Sequence, residues 1–306
     1  FAGLLAFLRA RAIAGVEHVT EQRYARVIEL NGALGILTVW NCPERNALRV
    51  VVPFPALAAL PRLTARVRHV FDLGSDPRVI ARDLSRDALL APLVKARPGL
   101  RLPGAWDGFE LAVRGVLGQQ ITVQAATRLA SQLVARVGRP LSPELLQPGL
   151  THAFPSPARF DATSLSQLGM PRARIATLIA LARAVEQDPR LFEGGLDLER
   201  AVARLVELPG IGPWTAHYIA MRALAESDAF PVGDIGLLRA VAQDGARPTP
   251  KQLSLRAEAW RPWRAYATLH LWTEDAAQRV APKVDDAARS VARVRLRREV
   301  RDALAS

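Results

Sequence analysis

The stretch Leu208-Pro-Gly-Ile-Gly-Pro-Trp-Thr-Ala216 decides how this chain folds. From Asp197 to Glu207, ahead of it, apolar residues recur at helical spacing at Leu198, Val202, Leu205 and Val206. Behind it, Trp214 to Leu224 is again a helical run, rich in alanine and aromatic residues. Two helices are therefore joined by a very short turn. Gly210 and Gly212 carry no Cβ and reach conformations and close approaches barred to other residues. Pro213 suits the first turn of the second helix, where its missing N–H would lack a partner anyway. The turn thus presents a row of backbone N–H groups at a helix N-terminus, which favours an anion such as phosphate. A Gly-x-Gly corner also occurs where two helices only pack.

Downstream, Ser227-Asp-Ala-Phe-Pro-Val-Gly-Asp-Ile-Gly236 delivers one acid, Asp234, at the start of another helical run. An Asp there also reads as an ordinary N-cap. Taken together, the hairpin and the spaced Asp resemble the helix-hairpin-helix, Gly/Pro-Asp superfamily of base-excision DNA glycosylases. Four more segments narrow the resemblance to the 3-methyladenine DNA glycosylase II family. They are Arg101-Leu-Pro-Gly-Ala-Trp-Asp-Gly-Phe-Glu110, Gly115-Val-Leu-Gly-Gln-Gln120, Leu168-Gly-Met-Pro171 and Arg261-Pro-Trp-Arg-Ala-Tyr-Ala-Thr-Leu-His-Leu-Trp272. They fall in the family's order, and the resemblance covers about Leu4 to Thr273.

The resemblance implies an enzyme that flips an alkylated base out of duplex DNA and hydrolyses its N-glycosidic bond. Asp234 is then the carboxylate that stabilises positive charge on the sugar, and Trp214, Tyr218 and Trp272 wall the base pocket. Gly210, Ile211, Gly212 and Thr215 belong to the phosphate-gripping hairpin. Gln119 and Gln120 stand where relatives insert a side chain into the gap left by the base; Gln120 replaces the leucine that some of them use. Main-chain carbonyls of Val206, Leu208 and Ile211 match a structural site for a monovalent cation. Bifunctional relatives place a lysine one residue past Pro213, where this chain has Trp214, so a monofunctional reaction without a redox cofactor is expected. Two alternatives stay open: a non-catalytic helix-hairpin-helix DNA-binding protein, which would not need Asp234, and a lyase of the cluster-bearing branch, which would need lysine and cysteines absent here.

Composition bounds the rest. At 306 residues and half hydrophobic, the chain can bury a large core, yet no apolar run approaches a membrane span and no secretory signal is visible. The single cysteine, Cys42, excludes an intramolecular disulfide and a four-cysteine iron–sulfur cluster, so an intracellular, nucleoid-associated protein is expected. A net charge of +12 fits a polyanionic partner, here double-stranded DNA, although arginine-rich composition also arises from genome bias. A monomer is expected. Phe1 in place of methionine suggests part of a longer polypeptide, and the resemblance implies a DNA-methyl transfer and regulatory module as one form of a fused N-terminal partner.

The expected fold is α+β. A unit over 1–88 combines an antiparallel sheet with helices: Leu4–Ala14 and Leu57–Val70 read as helical, and Tyr24–Leu30, Gly35–Trp40 and Leu48–Phe54 as strands. A mainly helical, two-lobed core follows over 89–282, with a cleft between its lobes. In it Asp107 opens a helix to Leu117, Thr122 to Val137 ends at Gly138 as a C′ residue, and Pro262 opens the last helix. A basic tail occupies 283–306.

Overall fold

A computed structural model describes residues 1–30, 32–52, 57–242 and 246–280. The tail expected over 283–306 lies outside the described residues. The N-terminal sheet has four antiparallel strands in chain order: β1 (Glu17–Val19), β2 (Arg23–Leu30), β3 (Ala33–Cys42) and β4 (Ala47–Val51). The short β1 was not foreseen. Alternation along β2 sends Tyr24, Ile28 and Leu30 towards helices α1 (Ala2–Arg9) and α2 (Leu60–Val70), while Ala25 and Val27 pack with Ile36, Leu141 and Leu150 on the other face. Both faces are covered, so β2 is buried along nearly its whole length.

Arg26 interrupts that pattern, being buried on the side of Tyr24 and Ile28. A guanidinium in such a place requires partners. Its Nη2 donates to Glu110 Oε2 at 2.7 Å, and Arg114 Nη2 donates to Glu110 Oε1 at 2.6 Å and Glu17 Oε2 at 2.5 Å. These pairs fasten the sheet to helix α5 (Gly108–Leu117).

The helical part begins with α3 (Pro77–Leu84) and α4 (Leu90–Ala96). Ile80 and Leu84 of α3 share a cluster with Leu90 and Trp260, so by packing α3 joins the helical part, ahead of the division expected at 88. The remaining helices are α6 (Val123–Val137), α7 (Ala162–Ser166), α8 (Arg172–Gln187), α9 (Leu198–Val206), α10 (Pro213–Ala223), α11 (Ile235–Ala240), α12 (Pro250–Ala257) and α13 (Arg264–Val280). Their starts follow from local chemistry: the side chains of Asp107, Thr122, Asp161, Asp197, Asp234 and Thr249 each accept a first-turn amide. Pro262 lies ahead of the last helix, which starts at Arg264. Gly138 does close α6, but with extended backbone (φ −63°). Glycine is needed there because a Cβ would lie 2.4 Å from Val134 O and 2.9 Å from Ala153 O.

Two clusters form the two lobes. One gathers α5, α6, α8 and α9 around Leu117, Leu133, Leu178 and Leu205; the other gathers α3, α4, α12 and α13 around Trp260, Phe230 and Leu271. Helix α10 serves both, giving Ala216 and Ile219 to the first and Ala220 and Met221 to the second. No described helix is long and apolar enough to cross a membrane.

Glu110→Gln is expected to cost about 3–5 kcal/mol of stability, because Arg26 and Arg114 lose a buried counter-charge. Burial works to raise the Glu110 carboxyl, but Arg26 and Arg114 outweigh it and hold it well below its ordinary 4.5. Its contribution is therefore present above pH 4.5 and lost as pH falls below that value. Urea unfolding of both proteins between pH 7 and pH 3 checks this: the gap between them should narrow on the acid side.

Candidate active site

Asp234 stands at the N-cap of α11, in a cleft of about 1290 Å³ between the lobes. Its Oδ1 accepts the Leu237 amide at 2.9 Å and the Trp272 indole N–H at 2.9 Å; its Oδ2 accepts the Trp214 indole N–H at 3.0 Å. The carboxylate that caps α11 is therefore the same one that lines the cleft. Three donors from α10, α11 and α13 fix both oxygens, and bonds to an ionised acceptor are the strong kind.

The aromatic residues expected in a pocket are brought together. Trp214 and Tyr218 stack with ring centroids 5.5 Å apart and planes 5° apart, and Tyr218 meets Trp272 at 6.3 Å. The spacing Trp214 to Tyr218 is one helical turn, so their alignment follows from α10 itself. Beneath them the sequence reading missed two arginines. Arg222, the next turn of α10, donates from Nη1 to Tyr218 Oη at 3.0 Å and from Nε to Pro103 O at 2.6 Å. Arg11 stacks on Phe7 at 3.7 Å and lines the same cleft. Burial lowers the Arg11 guanidinium to about 10. Burial also works to raise the Tyr218 phenol, but Arg222 and Arg11 outweigh it and leave the phenol below its ordinary value. The i, i+4 step from Tyr218 was the available signal for Arg222; nothing local pointed to Arg11.

The hairpin shows two kinds of glycine. Gly210 has φ +79°, and a Cβ on it would meet the Thr177 side chain head-on. Gly212, its chain neighbours aside, has no atom of the described residues within 4 Å of such a Cβ and is exposed. Among the described residues no backbone carbonyl takes the amides of Gly210, Gly212, Trp214 or Thr215, so a set of donors stands open at the start of α10. Ile211 departs from the expectation of an outward contact: it is 3% exposed, its side chain lies in the core, and its amide donates to Leu208 O at 3.0 Å. Thr215 is likewise buried, and its Oγ1 accepts the Gln119 side-chain amide.

Gln119 also departs from the reading of it as a residue facing DNA. Its Nε2 donates to Gly210 O at 2.9 Å and to Thr215 Oγ1 at 3.1 Å, while its own carbonyl accepts Arg174 Nη2 at 2.8 Å. It braces the hairpin. Gln120, exposed and in the left-handed region at φ +61°, is the residue that projects, with Ile121 and Val123 exposed beside it. Of the three carbonyls matched to a cation site, that of Leu208 holds the Ile211 amide; those of Val206 and Ile211 take no backbone amide among the described residues. No described group of three or more His, Cys, Asp or Glu is placed to hold a metal ion.

Residues 1–107 match the family described as the AlkA N-terminal domain, and residues 113–265 the family described as HhH-GPD superfamily base excision DNA repair protein. Over 273 residues the chain is 38% identical to a Mycobacterium tuberculosis protein named "Probable bifunctional transcriptional activator/DNA repair enzyme AlkA", covering 89% of this chain and 54% of that protein. The chain thus spans about half the length of these relatives. It is 36% identical over 276 residues to "DNA-3-methyladenine glycosylase 2" of Escherichia coli, covering 88% of this chain and 92% of that one. In fold it is similar to the solved structure "3-methyladenine dna-glycosylase from Archaeoglobus fulgidus", with TM-score 0.78, 21% identity, and 92% and 95% of the two chains covered.

Gln119→Ala removes two hydrogen bonds that hold the hairpin to the loop after α5. We expect a loss of about 1–3 kcal/mol, with hydrogen exchange of the Ile211 amide, which donates to Leu208 O, faster than in wild type by a larger factor than that of Leu133 in the core.

Proposed function

The chain belongs to the HhH-GPD superfamily of base excision DNA repair proteins, and from that premise we propose that it is a monofunctional glycosylase releasing alkylated bases, of the 3-methyladenine and 7-methylguanine type, from double-stranded DNA. The observation that carries this reading is the Asp234 carboxylate, fixed by two indole N–H groups and one amide inside an aromatic-walled cleft beside the hairpin.

The open amides at Gly210 and Gly212 grip a backbone phosphate next to the lesion, helped by the helix N-terminus behind them. Gln120 enters the gap left by the extruded base, and its amide group hydrogen-bonds the orphaned partner. The flipped base stacks against Trp214 and Trp272. A ring made cationic by alkylation gains about 0.5–2 kcal/mol from each such π-face, and it is already a good leaving group. As the glycosidic bond lengthens, positive charge grows on the sugar. The Asp234 carboxylate stabilises that charge and orients the attacking water. Its three donors hold it in place, so little reorganisation accompanies the reaction. With Trp214 one residue past Pro213, no amine is present there to form a Schiff base. The product is an abasic site.

No redox cofactor enters this chemistry. The unengaged carbonyls of Val206 and Ile211 fit a monovalent cation, whose role would be to stiffen the turn; Leu208 offers its second lone pair. The protein acts as a monomer on chromosomal DNA inside the cell.

The test is release of free bases from methylated duplex DNA by wild type and Asp234→Asn, with duplex binding measured for both. Wild type should release bases, and the variant should be slower by at least about 100-fold while binding is retained. Binding by both without release by either would leave a non-catalytic DNA-binding protein. Borohydride should trap no protein–DNA adduct; a trapped adduct would mean a lyase.

A further inference from the structure

Next to Asp234 lies a second carboxylate whose charge is already spoken for. Arg239 of α11 donates from Nε to Asp275 Oδ1 and from Nη2 to Asp275 Oδ2, both at 2.7 Å. Asp275 belongs to α13, one turn past Trp272, and its side chain is 11% exposed. Gly236 shows how tightly the groups close up: a Cβ there would lie 3.0 Å from Asp234 Oδ1, 3.3 Å from Trp272 Cδ1 and 3.5 Å from Asp275 Oδ2. Two carboxylates thus flank one small space, and among the described residues only one has a cation bound to both its oxygens. All three charged groups line the cleft.

Resting on the glycosylase reading, we propose that Arg239 and Asp275 are positioning residues that keep Asp234 ionised and unpaired for the reaction. Arg239 cancels the field of Asp275, which would otherwise favour a proton on Asp234. Asp275 in turn holds the Nε/Nη2 edge of the Arg239 guanidinium, which forms no ion pair with Asp234 among the described residues and so does not neutralise the charge meant for the sugar. Like charges in one site favour protonation of one of them, and an adjacent cation opposes it. The remaining charged or titratable groups around Asp234 do not replace this pair. Tyr218 of α10 is engaged with Arg222, and Arg279 of α13 is on the exposed rim of the cleft. The Asp275 hydrogen bonds also hold the Arg239 guanidinium above its ordinary value.

The experiment is the single-turnover rate of base release from methylated duplex DNA, followed from pH 5 to pH 9. It compares wild type, Arg239→Gln, Arg239→Lys, Asp275→Asn and the double variant Arg239→Gln/Asp275→Asn. In Arg239→Gln the acid limb of the profile should move up by about one pH unit or more, with the rate recovering at high pH. Arg239→Lys keeps the charge and should leave the limb near its wild-type position. Asp275→Asn should lose rate at every pH without an upward move of the limb. The double variant should regain most of what either single change lost. A merely structural latch would instead depress the rate of Arg239→Gln evenly at every pH, and a double variant no better than the worse single would equally overturn the proposal. If wild type releases no base, the glycosylase reading fails and this one with it; release by wild type with unmoved profiles defeats this inference alone.

Discussion

The carboxylate of Asp234 is the point at which the cleft is held in register. It accepts one amide from its own helix and one indole N–H from each of two others. Those bonds set the inward faces of Trp214 and Trp272 as much as they set the acid. Moving α13 relative to α10 would break at least one of them, and a half-buried indole N–H that loses its acceptor is costly. Cleft width, ring orientation and carboxylate position are therefore one geometric quantity.

The far end of the cleft rests on a different device. Glu17, Glu110, Arg26 and Arg114 form a buried ionic cluster of equal and opposite charge, which joins the N-terminal sheet to α5. Buried ion pairs contribute little net stability over apolar packing, but they tolerate few alternative arrangements. Beyond them Arg11 and Arg222 face aromatic rings, carbonyls and a phenol, giving the floor a positive character. The cleft is thus lined by an acid at one end and guanidinium groups at the other, a polarity imposed by separate layers of the fold.

How much of this could be read in advance depended on how local the cause was. The hairpin, the strands β2 and β3, and the helix starts at Asp107 and Thr122 follow from neighbours within a few residues. So did the meeting of Trp214 and Tyr218 along α10. Arg26 with Glu110 joins residues 84 positions apart, and Arg239 with Asp275 joins residues 36 apart. A polar residue inside an apolar strand announces that it needs a partner without saying which. Gln119 and Ile211 took their expected DNA-facing roles from the resemblance; in the structure one braces the hairpin and the side chain of the other lies in the core. Local reading locates a loop, but the side of it that faces solvent is decided by residues far along the chain.

Gly210 and Gly212 sit two positions apart and answer to different surroundings. The first has Thr177 pressed against it and a backbone that only glycine adopts comfortably; the second, its chain neighbours aside, has no atom of the described residues within 4 Å of where a Cβ would stand. Folding equilibrium therefore registers a methyl group at 210 and is nearly blind to one at 212. If a phosphate is to come within hydrogen-bonding reach of this corner, the vacancy over Gly212 is an external specification written into the chain, invisible to any assay of stability and legible only when a second molecule arrives.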